Sequence, residues 1–245
     1  MTPRGWLRSR RYRATRKAKE RLRIVFQPIR DLADGTVVGY EALSRFDSGA
    51  PEAWFNQAHE LGLGVEMELA AIKRALALAP DDWGYVSVNL SPTTAIAPAF
   101  FDLVSELSDP SRLVLELTEH TAVNDYRRLT AVLAELRSGG VRIAVDDVGG
   151  GISSFRHILM IAPDMIKLDR SLIATLQDDP RRRALADLMA QFCDRIGATL
   201  VAEGIERVQE RTACLEHGIW LGQGYLLGRP LDITEIEHGV TSPLS

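Results

Sequence analysis

The chain has 245 residues, of which 46% are hydrophobic and 25% are charged, and this composition excludes a disordered or fibrous protein. Its length suffices for one domain with a sizeable core, and its two cysteines lack the spacing of a disulfide framework or a zinc site. The net charge of −4 is unevenly distributed, because the first 23 residues carry +9 and the other 222 carry −13.

The basic N-terminal arm, residues 1–22, comes first along the chain. Trp6 and Tyr12 lie among its arginines, so the arm is a candidate for contact with an anionic membrane or a nucleic acid. The alternative is a solvated extra helix packed beside the body. No apolar signal region follows the arm, and no run approaches the roughly 20 apolar residues of a membrane span. The sequence therefore predicts a cytoplasmic protein without a transmembrane segment.

Residues 23–245 form the predicted main domain, in which short β-rich runs alternate with helical segments, as in βα units with a parallel sheet. Strands are predicted at Arg23–Ile29, Thr36–Ser44, Gly84–Leu90, Arg112–Thr118, Val141–Asp146, Met165–Leu168, Thr199–Ala202 and Ile219–Leu221. Helices are predicted at Pro51–Leu61, Val65–Ala79, Thr94–Leu107, Asn124–Arg137, Ser153–Ile161, Arg181–Ile196 and Arg207–His217.

The connection between the first two strands, residues 31–35, is too short for a helix and resembles a hairpin loop. We therefore expect an antiparallel first strand pair. Helical connections between the other strands favour a (β/α)₈ TIM-type barrel, with an open doubly wound sheet of six or seven strands as the alternative. Gly139 and Gly218 follow helical segments at the position of a terminating glycine.

A polar residue ends almost every predicted strand. These residues are Glu41, Asn89, Glu116, Asp146, Asp147, Lys167, Glu203 and Gln223. A parallel barrel brings its strand ends to one face, so the carboxylates should converge and either take up protons or bind cations. Oxygen ligands without His or Cys favour Mg²⁺ or Mn²⁺. A single acid at a strand end is more often a solvated loop residue, and Asp146–Asp147 alone also fits a helix N-cap.

Several motifs around these residues resemble those of the EAL domain family of cyclic di-GMP phosphodiesterases. The name-giving motif lies in Tyr40–Arg45, which reads YEALSR. The others follow in the family's order, as FQPI at 26–29, VNLSP at 88–92, LELTE at 115–119, DDVG at 146–149, IKLD at 166–169, AEGIE at 202–206 and QGY at 223–225. The resemblance covers about residues 23–232.

The resemblance implies a barrel with an antiparallel first strand pair and Mg²⁺- or Mn²⁺-dependent hydrolysis of cyclic di-GMP to linear 5′-pGpG at a two-metal site. It also implies a homodimer. The implied metal ligands are Glu41, Asn89, Glu116, Asp146, Asp147 and Glu203. The implied catalytic and supporting residues are Lys167, Glu203, Glu206, Gln223 and Glu119. The implied substrate-binding residues are Gln27, Leu43, Arg45 and Asp169.

One departure from the family pattern lies at Val148–Ile152, where the aromatic residue that usually follows the two aspartates is replaced by Val148. An added glycine in this loop predicts greater mobility and weaker metal binding. The main alternative to an active enzyme is a catalytically weak or inactive cyclic di-GMP receptor that acts through a protein partner. A further alternative is an unrelated metal-dependent barrel enzyme.

Overall fold

The computed structural model describes residues 21–118, 126–149 and 154–239. Within these ranges, eight strands form a closed barrel in which each strand lies beside the next one in the sequence. The strands are β1 Arg23–Asp31, β2 Val37–Arg45, β3 Tyr85–Asn89, β4 Leu113–Thr118, β5 Arg142–Val148, β6 Met165–Leu168, β7 Thr199–Ala202 and β8 Leu221–Gly222. The predicted (β/α)₈ TIM-type barrel is confirmed, and the open doubly wound sheet is wrong.

Strand β1 runs antiparallel to both of its neighbours, β2 and β8, whereas the pairs from β2 to β8 are parallel. The predicted hairpin is confirmed, since Gly35 has φ 79° and the Asp31 amide donates to the Thr36 carbonyl at 2.9 Å. The N-terminal half of β1 therefore lies at the same end of the barrel as the C-termini of the other strands. In this register Gln27 pairs with Glu41.

Helices connect most of the strands around the outside of the barrel. They are α1 Pro51–Glu60, α2 Gly64–Leu78, α3 Pro92–Ala95, α4 Pro98–Ser105, α5 Tyr126–Ser138, α6 Ser154–Ile161, α7 Arg170–Ile173, α8 Pro180–Ile196, α9 Val208–Glu216 and α10 Ile233–Glu237. The four-residue helix α7 and the C-terminal α10 were not predicted, because neither shows a helical hydrophobic period over its few residues.

Two local predictions for the helices were wrong. The single helix expected at Thr94–Leu107 is divided into α3 and α4, because Pro98 has no amide hydrogen and holds the preceding Ala97 in an extended conformation. The helix α5 ends at Ser138, and the terminating glycine with a left-handed conformation is Gly140, with φ 98°, rather than the predicted Gly139. Gly218, with φ 75°, terminates α9 as predicted.

The core has two layers, inside and outside the strands. The barrel interior is closed by one ring of apolar side chains, namely Ile29, Tyr85, Val114, Ala144, Met165 and Val201. A larger cluster fills the space between the strands and the helices, with Phe26 and Phe100 among its fully buried members. Because side chains alternate along a strand, β1 and β3 to β7 contribute to both layers.

Some predictions fall on residues that the structure does not describe, among them most of the basic arm, Glu119 and Asn124, the first residue of a predicted helix. The division between arm and main domain stays a prediction. Within the described ranges, no helix combines the length and the apolar character that a membrane span requires.

The two free cysteines should be unreactive in the folded protein. Burial raises the pKa of Cys193 in α8 to about 11 and that of Cys214 in α9 to about 12, so neither forms a thiolate at pH 8. We expect no fast reaction with a thiol-specific disulfide reagent at pH 8, and two equivalents after unfolding in guanidinium. Fast native labelling of either thiol would contradict the burial of these two side chains.

Candidate active site

A ring of polar side chains lies directly above the apolar ring that closes the barrel. The members on β3 to β6 lie two residues beyond an apolar member of the same strand, as Glu116 follows Val114 and Lys167 follows Met165, and in the inverted β1 Gln27 lies two residues before Ile29. Residues two apart on a strand face the same side. The strand sequences therefore place these groups inside the mouth of the barrel. The buried members of this ring are Gln27, Glu41, Ser87, Glu116, Asp146, Lys167 and Gln223.

Lys167 occupies the centre of this ring and is fully buried. Its Nζ lies 2.6 Å from Glu203, 3.1 Å from Glu116, 3.2 Å from Asp146 and 3.4 Å from Glu41. Burial disfavours the charged form, but the carboxylates, Asp146 foremost, outweigh this cost and hold the pKa of the lysine well above its usual value. The side chain is therefore a permanent ammonium ion that draws four carboxylates together.

One ammonium group does not neutralise the surrounding carboxylates. Burial raises the pKa of Glu203 to about 8 despite the nearby ammonium. Burial and the neighbouring Glu41 also raise the pKa of Glu116 well above its usual value. For Glu41, the ammonium of Lys167 and the amide of Gln223 outweigh burial and lower the pKa. The cluster therefore retains protons near neutral pH that a bound cation would displace.

Two groups of carboxylates in this cluster are spaced for metal binding. Ligand atoms of Glu41, Glu116 and Asp146 lie within 4.8 Å of one another, and so do those of Asp146, Asp147 and Glu203. Asp146 belongs to both groups, so the two groups share one carboxylate. The predicted carboxylate ligands are thus brought together.

A β-bulge brings consecutive aspartates to the same site. Between Val145 and Val148, β5 uses one residue more than its partner β6, and Asp147 adopts φ 59°. Without the bulge, Asp146 and Asp147 would point to opposite faces of the strand. Their local geometry is that of a distorted strand end, and the N-cap interpretation stays a prediction because residues 150–153 lie outside the described residues.

The donor set fits a hard divalent cation. The ligand atoms are carboxylate oxygens, and the amide of Asn89 lies beside them, with its Nδ2 donating to Glu41 Oε1 at 3.2 Å. Glu116 Oε1 is buried and finds no hydrogen-bond partner among the described residues. A buried acceptor without a donor is costly, and a cation would remove that cost.

Amide groups orient Glu41 from the opposite side. Gln223 Nε2 donates to Glu41 Oε2 at 2.6 Å and to Gln27 Oε1 at 2.9 Å, and Gln27 Nε2 donates to the Gly228 carbonyl at 3.0 Å. Gln223, predicted to support the site, therefore contacts Glu41 directly. Gln27, predicted to bind substrate, holds Gln223 in addition to lining a cleft.

Two clefts open from the carboxylate cluster, and Leu43 lines both of them. The larger, about 460 Å³, also contacts Arg45, Asn89, Asp146 and Asp147. The smaller cleft, about 320 Å³, is lined by residues that include Gln27, Glu41, Asp169, Glu203, Glu206, Gln223 and Tyr225. The predicted substrate-binding residues therefore all line one or both clefts.

Glu206, predicted to be catalytic, lies outside the central cluster. Its carboxylate forms an ion pair with Arg170 at the partly exposed rim of the smaller cleft. Hydrogen bonding to Arg170 lowers the pKa of Glu206. The structure brings together the other predicted site residues that it describes, whereas Glu119 lies outside the described residues.

Sequence reasoning missed several residues that support the site. Ser87 is fully buried in the polar ring, and the two-residue period from Tyr85 would have indicated it. Glu68 on α2 is buried, accepts a hydrogen bond from the Ser91 amide at 2.9 Å and contacts His59 at 3.1 Å. It fixes the loop that follows Asn89. No local signal in the sequence indicates this contact.

Val148, at the departure from the family pattern, is buried in the core and pairs with Leu168 of β6. The next residue, Gly149, has φ 111°, and a Cβ there would lie 2.3 Å from the Leu172 side chain. A glycine is therefore required at this point. Residues 150–153 lie outside the described residues, so the predicted mobility of the loop stays a prediction.

Comparisons with known proteins agree with this geometry. A family model described as the EAL domain matches residues 9–230. Over 240 residues the chain is 30% identical to the bifunctional diguanylate cyclase/cyclic di-GMP phosphodiesterase MucR of Pseudomonas aeruginosa, covering 90% of this chain and 35% of MucR. The chain spans about a third of the length of the curated relatives it matches.

Two solved structures share the fold. The PaMucR phosphodiesterase in complex with c-di-GMP has a TM-score of 0.78 and 27% identity, covering 93% of this chain and 99% of that one. The manganese/cy-diGMP complex of Klebsiella pneumoniae BlrP1 has a TM-score of 0.76 and 28% identity, covering 86% of this chain and 56% of that one.

The effect of Mn²⁺ on stability should depend on pH. The raised pKa of Glu203 stabilises the cation-free fold fully below about pH 4.5, and this contribution is lost as pH rises towards about 8. Proton competition weakens in the same range, so Mn²⁺ should raise the melting temperature more at pH 8 than at pH 6. Thermal unfolding with and without Mn²⁺ tests this, and Glu203→Gln should flatten the trend. An equal shift at both pH values would contradict it.

Replacing Lys167 with methionine should destabilise the cation-free protein at pH 8. The change removes the ammonium and leaves four buried carboxylates to repel one another, a loss of about 3 to 5 kcal/mol in the free energy of unfolding. Urea unfolding at pH 8 and pH 5 measures it, and protonation should reduce the loss at pH 5. A variant as stable as the wild type at pH 8 would show that the ammonium does not hold the cluster.

Proposed function

The chain belongs to the EAL domain family, and on that premise we propose that it is a metal-dependent phosphodiesterase that hydrolyses cyclic di-GMP to linear 5′-pGpG. One observation carries the proposal. Two sets of three carboxylates, with Asp146 in both, lie beneath two clefts that meet at Leu43. The names of MucR and of the two solved complexes support the choice of substrate.

The proposed cofactors are two divalent cations, Mg²⁺ or Mn²⁺. Glu41, Asn89, Glu116 and Asp146 would hold one, and Asp146, Asp147 and Glu203 the other. When bound, such a pair supplies positive charge that acidifies a water molecule and neutralises a phosphodiester. The donor set supports this role, because hard cations prefer carboxylate and amide oxygens.

Lys167 would act on the attacking water. Its ammonium is buried within 3.4 Å of each of four carboxylates, so it is already oriented towards the place where they converge. A fixed positive charge favours the hydroxide form of a nearby water and needs no reorganisation during the reaction. With its pKa well above the usual value, Lys167 would donate hydrogen bonds and would not act as a base.

Arg45 and Leu43 would position the dinucleotide. Arg45 lines the larger cleft and its Nη1 donates to the Ser44 carbonyl at 2.9 Å, which holds the guanidinium near the strand end. A guanidinium has further donors with the geometry to bind a phosphate oxygen. Leu43, between the clefts, would direct the two halves of the substrate to opposite sides of the scissile bond.

The cluster also explains why substrate binding would depend on cations. Asp146, Asp147 and Glu203 face the space that a negatively charged phosphodiester must enter, and repulsion opposes its approach. Cations bound there would reverse the sign of the local field. Binding of the nucleotide and of the metal should therefore be coupled.

The proposal is tested by incubating the purified chain with cyclic di-GMP and Mn²⁺, Mg²⁺ or EDTA and resolving the nucleotides by anion-exchange chromatography. We expect linear pGpG with either metal and none with EDTA. Tight binding without cleavage would favour the receptor alternative, and neither binding nor cleavage would contradict both functions.

Glu41→Ala should lower turnover by at least about 100-fold, because loss of an indirect metal contact alone commonly costs about 10- to 100-fold. Glu41 contacts the ammonium of Lys167, the amide of Gln223 and the amide of Asn89, so its loss removes a shared partner. Glu216→Ala is the matched control, since Glu216 is exposed at the end of α9. Initial rates of pGpG formation measure both. Near-normal activity of Glu41→Ala would exclude this assignment of the site.

A further inference from the structure

The turn after β7 carries Glu203 into the carboxylate cluster and then continues to Glu206 at the cleft rim. Its backbone is tied to β6 by the Glu203 amide, which donates to the Leu168 carbonyl at 3.0 Å. It is tied to the end of β8 by the Ile205 amide, which donates to the Gln223 carbonyl at 3.0 Å. Between these ties lies Gly204, with φ 66°.

Arg170, the first residue of α7, packs against this turn at two points. A Cβ at Gly204 would lie 2.6 Å from Arg170 Cγ, so the aliphatic part of the arginine covers the glycine backbone. The guanidinium then reaches Glu206 with both terminal nitrogens, and Nη2 lies 2.7 Å from Oε2. One side chain thus contacts the turn at Gly204 and at Glu206.

The segment from Lys167 to Arg170 holds both ends of the turn. Lys167 Nζ contacts Glu203 Oε1 at 2.6 Å inside the barrel, and Arg170 contacts Glu206 at the rim. The Lys167 contact fixes the carboxylate only while the ammonium remains beside it. A cation at Asp146 and Asp147 would compete with Lys167 for the Glu203 carboxylate. The position of that carboxylate would then depend on the backbone of the turn.

We propose that Arg170 is a positioning residue that fixes the turn at Gly204 and Glu206, so that Glu203 can complete a cation site with Asp146 and Asp147. The inference rests on the proposed function for the identity of the site. A bidentate guanidinium–carboxylate pair sets orientation as well as distance. The Arg170 and Glu206 side chains are 49% and 36% exposed, so their pair contributes little to global stability, and its effect should be local.

The test is Mn²⁺ binding without nucleotide, measured by the electron paramagnetic resonance signal of free Mn²⁺. We expect two equivalents in the wild type. Arg170→Ala and Glu206→Gln should keep one and bind the second about 10-fold or more weakly. Arg170→Lys retains the aliphatic stem and one charged donor, so it should recover part of the affinity. Melting temperatures should stay close to that of the wild type.

Arg207→Gln is the matched control. The charge of Arg207 also lowers the pKa of Glu206, but the hydrogen bonds to Glu206 come from Arg170. If Arg170 acts by geometry, Arg207→Gln should bind both equivalents of Mn²⁺ like the wild type. An equal loss in Arg207→Gln would indicate a field effect and overturn the inference.

Two further results would also overturn the role of Arg170. One is an Arg170→Ala variant that binds both equivalents of Mn²⁺ normally, and the other is a wild-type protein that binds fewer than two equivalents of Mn²⁺. Cleavage of the nucleotide is measured separately and tests the proposed function. A wild type that binds two equivalents of Mn²⁺ but leaves cyclic di-GMP intact would refute the phosphodiesterase. The Mn²⁺ titration of the variants would still decide the role of Arg170.

Discussion

The buried ammonium of Lys167 is the interaction on which the arrangement of the barrel mouth depends. Four carboxylates, three from β2, β4 and β5 and one from the turn after β7, approach it within 3.4 Å, and without that charge their burial would be opposed by both desolvation and mutual repulsion. The lysine does not neutralise them all, as the raised pKa of Glu203 shows. The single ammonium therefore keeps the four carboxylates close together but does not balance their charge. This excess of negative charge favours the binding of cations.

The inverted first strand adds a second constraint. Because β1 is antiparallel to both neighbours, Gln27 comes from the middle of its strand and pairs directly with Glu41. Gln27 and Gln223 then form a chain of amide hydrogen bonds from the Gly228 carbonyl to the Glu41 carboxylate. Neutral donors fix the orientation of Glu41 without cancelling its charge, so the carboxylate stays available as a ligand. A parallel first strand would place its C-terminal end here instead.

The sequence predicted the architecture and the central residues because both follow from local periods. Alternation along strands, polar strand ends and a five-residue hairpin loop were enough to predict a barrel with an antiparallel first pair. The contacts of Glu68 with Ser91 and of Arg170 with Glu206 were not predictable, since each joins residues whose loops meet only after the barrel closes. Pro98 indicated a break in the predicted helix Thr94–Leu107, but the helical spacing of the apolar residues on both sides of it favoured a single helix.

The bulge at Asp147 shows how a local distortion divides one carboxylate cluster into two groups spaced for metal binding. A regular strand would deliver Asp146 alone beside the carboxylates of Glu41, Glu116 and Glu203. The extra residue turns Asp147 towards Glu203, so Asp146 lies between two groups and belongs to both. Gly149, which cannot carry a side chain against Leu172, ends the distortion. The strain is confined to a few residues, while β6, with Lys167 at its centre, keeps the regular geometry that the cluster requires.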